Sequence, residues 1–231
     1  MEVTLLKCSS IDLAEIAAAT CVHHEADTGF FPRNIGEPEG HDTAKGLKHA
    51  IESGHLGVLE PISISWFIEG ISRACSHQLV RHRLASYCQQ SQRYCKIGTM
   101  DREWYIVPSS FEENNEAMIE LFNLMDQIAR TYDRFINVYG IKKEDARFVL
   151  PNACKTNIMV TMNARSFIEA SRKRLCNKAQ WEIRELFSKM KECLKNKLPE
   201  VYDLCRPPCA FAPCPEHHSC GHPSNSHEDA L

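Results

Sequence analysis

The chain has 231 residues with 43% hydrophobic content, enough for one large domain or two small ones, and its 27 Lys and Arg against 30 Asp and Glu leave a formal net charge of -3. That balance excludes a global polycation, no stretch approaches the ~20 apolar residues of a membrane span, and the first twenty residues do not read as a signal peptide. Twelve cysteines without an export signal point to a reducing, cytoplasmic setting, where thiols serve as small hydrophobes, metal ligands or reactive groups.

In chain order, residues 2–8 alternate as a short strand, and Asp12 opens an alanine-rich helix towards Cys21. The stretch His23–Gly40, punctuated by Gly29, Pro32, Gly36, Pro38 and Gly40, reads as a loop, after which Asp42 or Thr43 caps a helix ending near Gly54. Ile62, Ile64, Trp66 and Ile68 alternate with Ser63, Ser65 and Glu69, as in a half-buried strand, and Gly70 is expected to end it. From Ile71 to about Arg83 the apolar spacing turns helical, so Gln78, Arg81 and His82 are expected to project together from one helix face. Ala85–Tyr94 then reads as extended.

Ser110 followed by Glu113 suggests a capping box for a long structural helix, Glu112 to about Val138, closed by Gly140. A shorter helix holding Arg147 stops at Pro151, and Thr156–Met162 is β-prone. Asn163 caps a helix over Ala164–Leu175, and Asn177 starts another reaching about Leu198. These elements read as an α+β fold with a mixed or antiparallel sheet flanked by helices over residues 1–204, followed by a Cys/His/Pro-rich tail, residues 205–231.

Charge is concentrated in one segment. From Gly70 to Met100 the charged residues are Arg73, Arg81, Arg83, Arg93 and Lys96, with no carboxylate. Between Arg81 and Tyr94, guanidinium forks suited to phosphate or carboxylate stand beside serine hydroxyls and glutamine amides that bond sugars, bases or phosphate oxygens, an inventory that fits a nucleotide. An ordinary solvated basic face is the competing reading. Neither a GxGxxG after a strand nor a Walker-type loop occurs, so phosphate must be held by side chains.

Other candidates are less specific. His55 lies in the polar tip SGHLGVLEP and serves either as a satisfied loop residue or as a ligand. Asn163, Arg165 and Glu169 open a helix after a strand, a common place for ligand contact, although capping explains Asn163 equally well. Arg174 sits in a basic RKR run favoured by a helix C-terminus. In the tail, Cys205, Cys209, Cys214 and Cys220 with His217, His218 and His222 could bind zinc, but the spacing lacks paired CxxC knuckles, and free thiols are the favoured reading. Cys75 and Cys88, near arginines, have no recognisable base beside them, so a structural role is favoured over nucleophilic chemistry.

The stretch GISRACSHQLVRHRLASYCQQSQRY, Gly70 to Tyr94, closely resembles the flavin-dependent thymidylate synthases, the ThyX family, whose signature of RHR, seven residues, then Ser falls here on Arg81, His82, Arg83 and Ser91. The resemblance continues in HLGVLEP, in ARFVLP around Arg147, in NARSFIEASRKRLCNKAQWEI from Asn163, and in the tail. It implies an enzyme that makes dTMP from dUMP with methylenetetrahydrofolate as carbon donor, FAD in a non-Rossmann site as cofactor and NADPH as reductant. It also implies a homotetramer whose active sites are shared between subunits, with no nucleic-acid or membrane partner.

On that resemblance, Gln78, Leu79, Val80, Arg81, Gln89, Gln90, Ser91, Gln92, Arg93 and Arg147 match positions holding dUMP, with Ser91 and Arg93 at its phosphate. His55, Gly57, Arg81, His82, Arg83, Gln89, Asn163, Ala164, Arg165 and Glu169 match positions lining FAD. Arg174 matches the arginine that stabilises negative charge on the uracil ring and so raises reactivity at C5. No thiol nucleophile is required. The chain departs from the pattern at Gly57, Pro61, Cys88, Gln89 and Glu169; a carboxylate at the last position is unfavourable beside an anionic flavin unless protonated, paired or turned away. Two rival readings are a nucleic-acid surface over Arg73–Arg93, which has few aromatics for stacking, and a zinc-dependent tail module.

Overall fold

The computed structural model describes residues 1–22, 43–98 and 102–222. The expected loop His23–Gly40 and the alternative cap Asp42 lie outside the described residues. Strands β1 (Glu2–Cys8), β2 (Ser63–Ser72), β3 (Ala85–Gln89) and β4 (Lys155–Asn163) form one antiparallel sheet in the order β1-β2-β4-β3. The helices are α1 (Asp12–Val22), α2 (Thr43–Glu52), α3 (Arg73–Leu79), α4 (Asn115–Asn137), α5 (Lys143–Ala146), α6 (Ala164–Arg174), α7 (Trp181–Glu192) and α8 (Pro199–Leu204). The expected α+β class is observed.

Two compact units can be distinguished, each with its own core. One comprises Met1–Glu2, Ile68–Arg81 and Tyr87–Met159. Its core gathers Ile97, Trp104, Tyr105, Met125, Ala129, Tyr132, Ala146 and Cys154, with the apolar stripe of α4 supplying Met125, Ala129 and Tyr132. The other comprises Val3–Phe67, His82–Ser86 and Val160–Leu231. There Trp66 of β2 packs on Phe167 of α6 at 4.7 Å, Phe167 stacks on Phe187 of α7 at 5.9 Å, and the Trp66 indole donates to the carbonyl of Met190. All three rings are fully buried, and aromatic pairs of this kind contribute roughly 0.5–1.5 kcal/mol beyond the area they bury.

Several boundaries differ from the sequence reading. Strand β2 runs through Gly70 to Ser72, because glycine takes a φ of +69° and the chain turns without leaving the ladder. Helix α3 therefore starts at Arg73, capped by the Ser72 hydroxyl, which accepts from the Cys75 amide. It stops at Leu79, where the Tyr87 hydroxyl donates to the Leu79 carbonyl and satisfies a helix-end acceptor. Arg81, His82 and Arg83 consequently lie past the helix instead of sharing its face with Gln78.

Helix α4 is capped by Asn114, whose side chain accepts from the Ala117 amide, and Ser110 sits in a preceding 3-10 turn, not in a capping box. Helix α7 starts at Trp181, because the Gln180 side chain accepts from the amides of Glu182 and Ile183; the Asn177 carbonyl instead accepts from Arg184. The extended stretch from Ala85 ends at Gln89, and residues 92–94 form a turn. Asn163 caps α6 as expected, its side chain accepting from the Ser166 amide at 2.8 Å.

Because Gly70 occupies the left-handed region, where a Cβ costs about 1–2 kcal/mol, Gly70→Ala is expected to lower unfolding stability by that amount. The atoms nearest an added Cβ, those of Met1 at 3.8 and 3.9 Å, are at ordinary contact distance, so the loss comes from the backbone. Denaturant unfolding checks it, and an unchanged midpoint would mean the bend relaxes.

Candidate functional site

The RHR run follows the end of α3. Arg81 and Arg83 are exposed, and among the described residues neither has an ion pair or a side-chain hydrogen bond. His82 between them is half-buried, its ring tilted against Phe187 at 5.7 Å, so the aromatic stack beneath fixes where the imidazole stands. Arg174, in the last turn of α6, donates from Nε to His82 Nε2 at 2.9 Å. To accept there, the imidazole must be neutral with its proton on Nδ1. Burial, then the positive charges of Arg174 and Lys173, push the His82 pKa down to about 4. A protonated ring would set like charges against each other, whereas the neutral ring aims the Arg174 guanidinium.

At the opposite end of α6, Asn163 is spent on capping, and Ala164 is fully buried with its amide on the Ile62 carbonyl. Arg165 holds two carboxylates, Glu60 from NH1 at 2.7 Å and Glu169 from Nε at 3.1 Å, and hydrogen bonds to both raise its pKa further. Glu169 is thus paired. A Cβ added at Gly57 would stand 3.7 Å from Arg165 NH1, an ordinary contact, so a small side chain fits there. His55 is exposed at the start of the 3-10 turn Leu56–Leu59 and makes no side-chain cap bond.

A second group lies in the unit built around α4. Leu79 is fully buried, Gln78 is half-buried, and Val80 is the C-cap of α3. Gln89 donates to the hydroxyls of Ser76 at 2.8 Å and Thr156 at 3.3 Å. The backbone of Gln90 is gripped from both sides, its amide donating to the Asn157 carbonyl and its carbonyl accepting from Arg73 at 2.7 Å. The Ser91 hydroxyl accepts from the Arg93 amide, and the Gln92 amide reaches the Cys154 sulfur. Arg93 presents Nε and NH2 to one oxygen of Glu144, at 3.1 and 3.0 Å, while Arg147 donates to the Glu144 main-chain carbonyl. Ser91 is thus linked to Arg93 through the Arg93 amide, and Arg93 and Arg147 both bond to Glu144, one to its side chain and the other to its main chain.

Sequence reasoning missed the participants that join this group. Arg73 is half-buried, its Nε is buried without a partner, and desolvation, with a smaller contribution from Arg147, lowers its pKa. The acid-free run from Gly70 to Met100 contained the signal for Arg73, but Glu144, 51 residues beyond Arg93, had none.

Among the cysteines, Cys75 is fully buried and Cys88 exposed. Burial pushes the Cys205 thiol up to about 12, which suits a packing residue and not a nucleophile. Among the described residues no group of three His, Cys, Asp or Glu is arranged to hold a metal ion, and no helix is long and apolar enough to cross a membrane.

A family model described as thymidylate synthase complementing protein matches residues 4–200. The flavin-dependent thymidylate synthase of Geobacter sulfurreducens is 44% identical over 175 residues, covering 76% of this chain and 75% of that one. The protein of the same name from Nitratidesulfovibrio vulgaris is 34% identical over 222 residues, covering 91% and 89%. In fold, the chain is similar to flavin-dependent thymidylate synthase ThyX from Helicobacter pylori, solved with FAD and dUMP (TM-score 0.66, 23% identity, 89% and 100% coverage). It is also similar to a UMP/dUMP methylase, PolB, from Streptomyces cacaoi, solved with 5-Br dUMP (TM-score 0.72, 20% identity, 88% and 93% coverage).

The half-buried His82 is expected to stay neutral at pH 6 and to titrate at about 4, which an NMR titration of the imidazole reads directly. Its folded pKa lies below the unfolded value, so the folded state binds fewer protons between the two, and stability should fall as pH drops from about 6.5 towards 4. An ordinary histidine pKa would show that the Arg174 bond does not form in solution.

Proposed function

The chain belongs to the flavin-dependent thymidylate synthases, and we propose that it makes dTMP by reductive methylation of dUMP, with FAD as redox cofactor, methylenetetrahydrofolate as carbon donor and NADPH as reductant. The observation that carries the reading is the set at the RHR run: two exposed guanidinium groups, Arg81 and Arg83, without acidic partners among the described residues, flanking a neutral histidine that orients Arg174. In a chain without a glycine-rich phosphate loop, such groups are the donors that an anionic cofactor needs.

The donor set fits FAD on that ground. Arg81 and Arg83 would meet its phosphates, and His55, Gly57, His82, Gln89, Asn163, Ala164 and Arg165 would line it. Glu169 departs from the family pattern, yet its bond from Arg165 supplies the compensating cation that a carboxylate near an electron-rich flavin requires. The redox chemistry and the mediation of methylene transfer belong to FAD when it is bound.

For dUMP, Ser91, Arg93 and Arg147 would take the phosphate, and Gln78–Arg81 and Gln89–Gln92 the nucleoside. Arg174 would place its fixed positive charge against the uracil ring, favouring the electron-rich form that reacts at C5. A thiol nucleophile is not needed, and Cys75 is out of reach in the core. The enzyme would act in the cytoplasm as a homotetramer with shared active sites. The nucleic-acid reading is less favoured, since the chain is net acidic and few aromatics are at hand in the segment for stacking.

Removing a charge-stabilising donor typically costs about 100- to 1000-fold in rate, so Arg174→Ala should lose that much dTMP formation with an unchanged far-UV spectrum. Assays with FAD, NADPH, dUMP and methylenetetrahydrofolate check it. Wild-type turnover by the folded variant would remove Arg174 from catalysis, and no dTMP from the unmodified protein would remove the proposed activity.

A further inference from the structure

We propose that the Glu144 carboxylate is an internal competitor for the nucleotide phosphate, filling the Arg93 fork until substrate displaces it and so setting how tightly that phosphate is held. The inference rests on the functional reading that places the phosphate at Ser91 and Arg93.

Arg93 directs two parallel N–H groups at one oxygen of Glu144, and this fork recognises phosphate oxygens as well as carboxylate. Both side chains are substantially exposed, 53% and 38%, so the pair is screened by solvent and readily exchanged. The carboxylate can leave without disturbing the element that carries it. Helix α5 is tied down by other bonds: Lys143 donates to the Tyr94 carbonyl at 2.9 Å, and Arg147 donates to the Glu144 main-chain carbonyl at 3.0 Å. Neither uses the Glu144 side chain.

What remains after the carboxylate swings out is a positive, donor-rich place. Arg93 regains its fork, the Ser91 hydroxyl accepts from the Arg93 amide, and Arg147 stands one turn beyond Glu144. An anion arriving there finds the charge that Glu144 had neutralised. The acidic side chain thus shields an arginine cluster while the site is empty and is outcompeted by a phosphate, whose charge and oxygen count are greater.

Calorimetric titration of the full chain with dUMP and with deoxyuridine, which lacks the phosphate, tests this. Glu144→Gln should tighten dUMP about two- to fivefold, the worth of an exposed ion pair, and leave deoxyuridine unchanged. Asp145→Asn, which removes the neighbouring exposed charge but touches no arginine fork, should leave both near wild type. Unchanged or weaker dUMP binding by folded Glu144→Gln overturns the proposal, as does an equal gain for deoxyuridine or for Asp145→Asn. Should Glu144→Gln fail to fold, Glu144→Asp withdraws the carboxylate by one methylene, and a dUMP affinity no tighter than wild type then counts against it. Absence of dUMP binding by the unmodified chain would instead sink the functional reading on which the proposal stands.

Discussion

Five fixed cations lie between Gly70 and Met100 without one carboxylate among them, and the placement of distant side chains answers that constraint. Each cation has to borrow an acid from elsewhere, find a neutral acceptor, or stand bare. Lys96 takes Asp133 of α4 at 2.7 Å, and Arg93 takes Glu144 of α5. Arg73 makes do with the Gln90 carbonyl. Arg81 and Arg83 have no ion pair among the described residues, and His82 between them is kept neutral, which avoids a third positive charge and lets Arg174 approach. Three of the five cations are thereby matched within the chain, Arg93 by a carboxylate that a phosphate is proposed to displace, and among the described residues two carry no ion pair.

Burial makes this arrangement possible. The Trp66, Phe167 and Phe187 rings form a rigid floor, and His82 rests on its end. A solvated imidazole would take a proton near pH 6.5 and repel Arg174; desolvation is the largest cause of the shift that prevents this. The same cause raises the thiol of Cys205. One physical effect therefore keeps a histidine available as an acceptor and a cysteine inert.

Much of the fold was legible in sequence. The alternation of Ile64, Trp66 and Ile68 marks β2, the Asn163 cap marks α6, and the acid-free run marks the segment proposed to hold the anionic ligands. The failures share a form: local signals lost to partners that only the folded chain supplies. Gly70 looked like a terminator, yet its positive φ carries the strand through a bend. Helix α3 looked longer because the apolar spacing continues past Leu79, while Tyr87 closes it from the next strand. Ser110 and Asn177 were plausible caps displaced by Asn114 and Gln180 a few residues on. The pairing of Glu169 with Arg165 was open to an i, i+4 reading, but Glu60 and Glu144 reach their arginines from distant parts of the chain, and no spacing rule finds them.

Arg81 and Arg83, which carry no ion pair among the described residues, are proposed to take the phosphates of the flavin. Flavin fluorescence titration of the intact protein against Arg81→Ala and Arg83→Ala at two salt concentrations measures this most directly. Charge-assisted hydrogen bonds are worth about 1.5–3 kcal/mol, so each variant should bind FAD roughly ten- to a hundredfold more weakly, with a shallower salt dependence. Wild-type affinity and salt response in both variants would contradict the account.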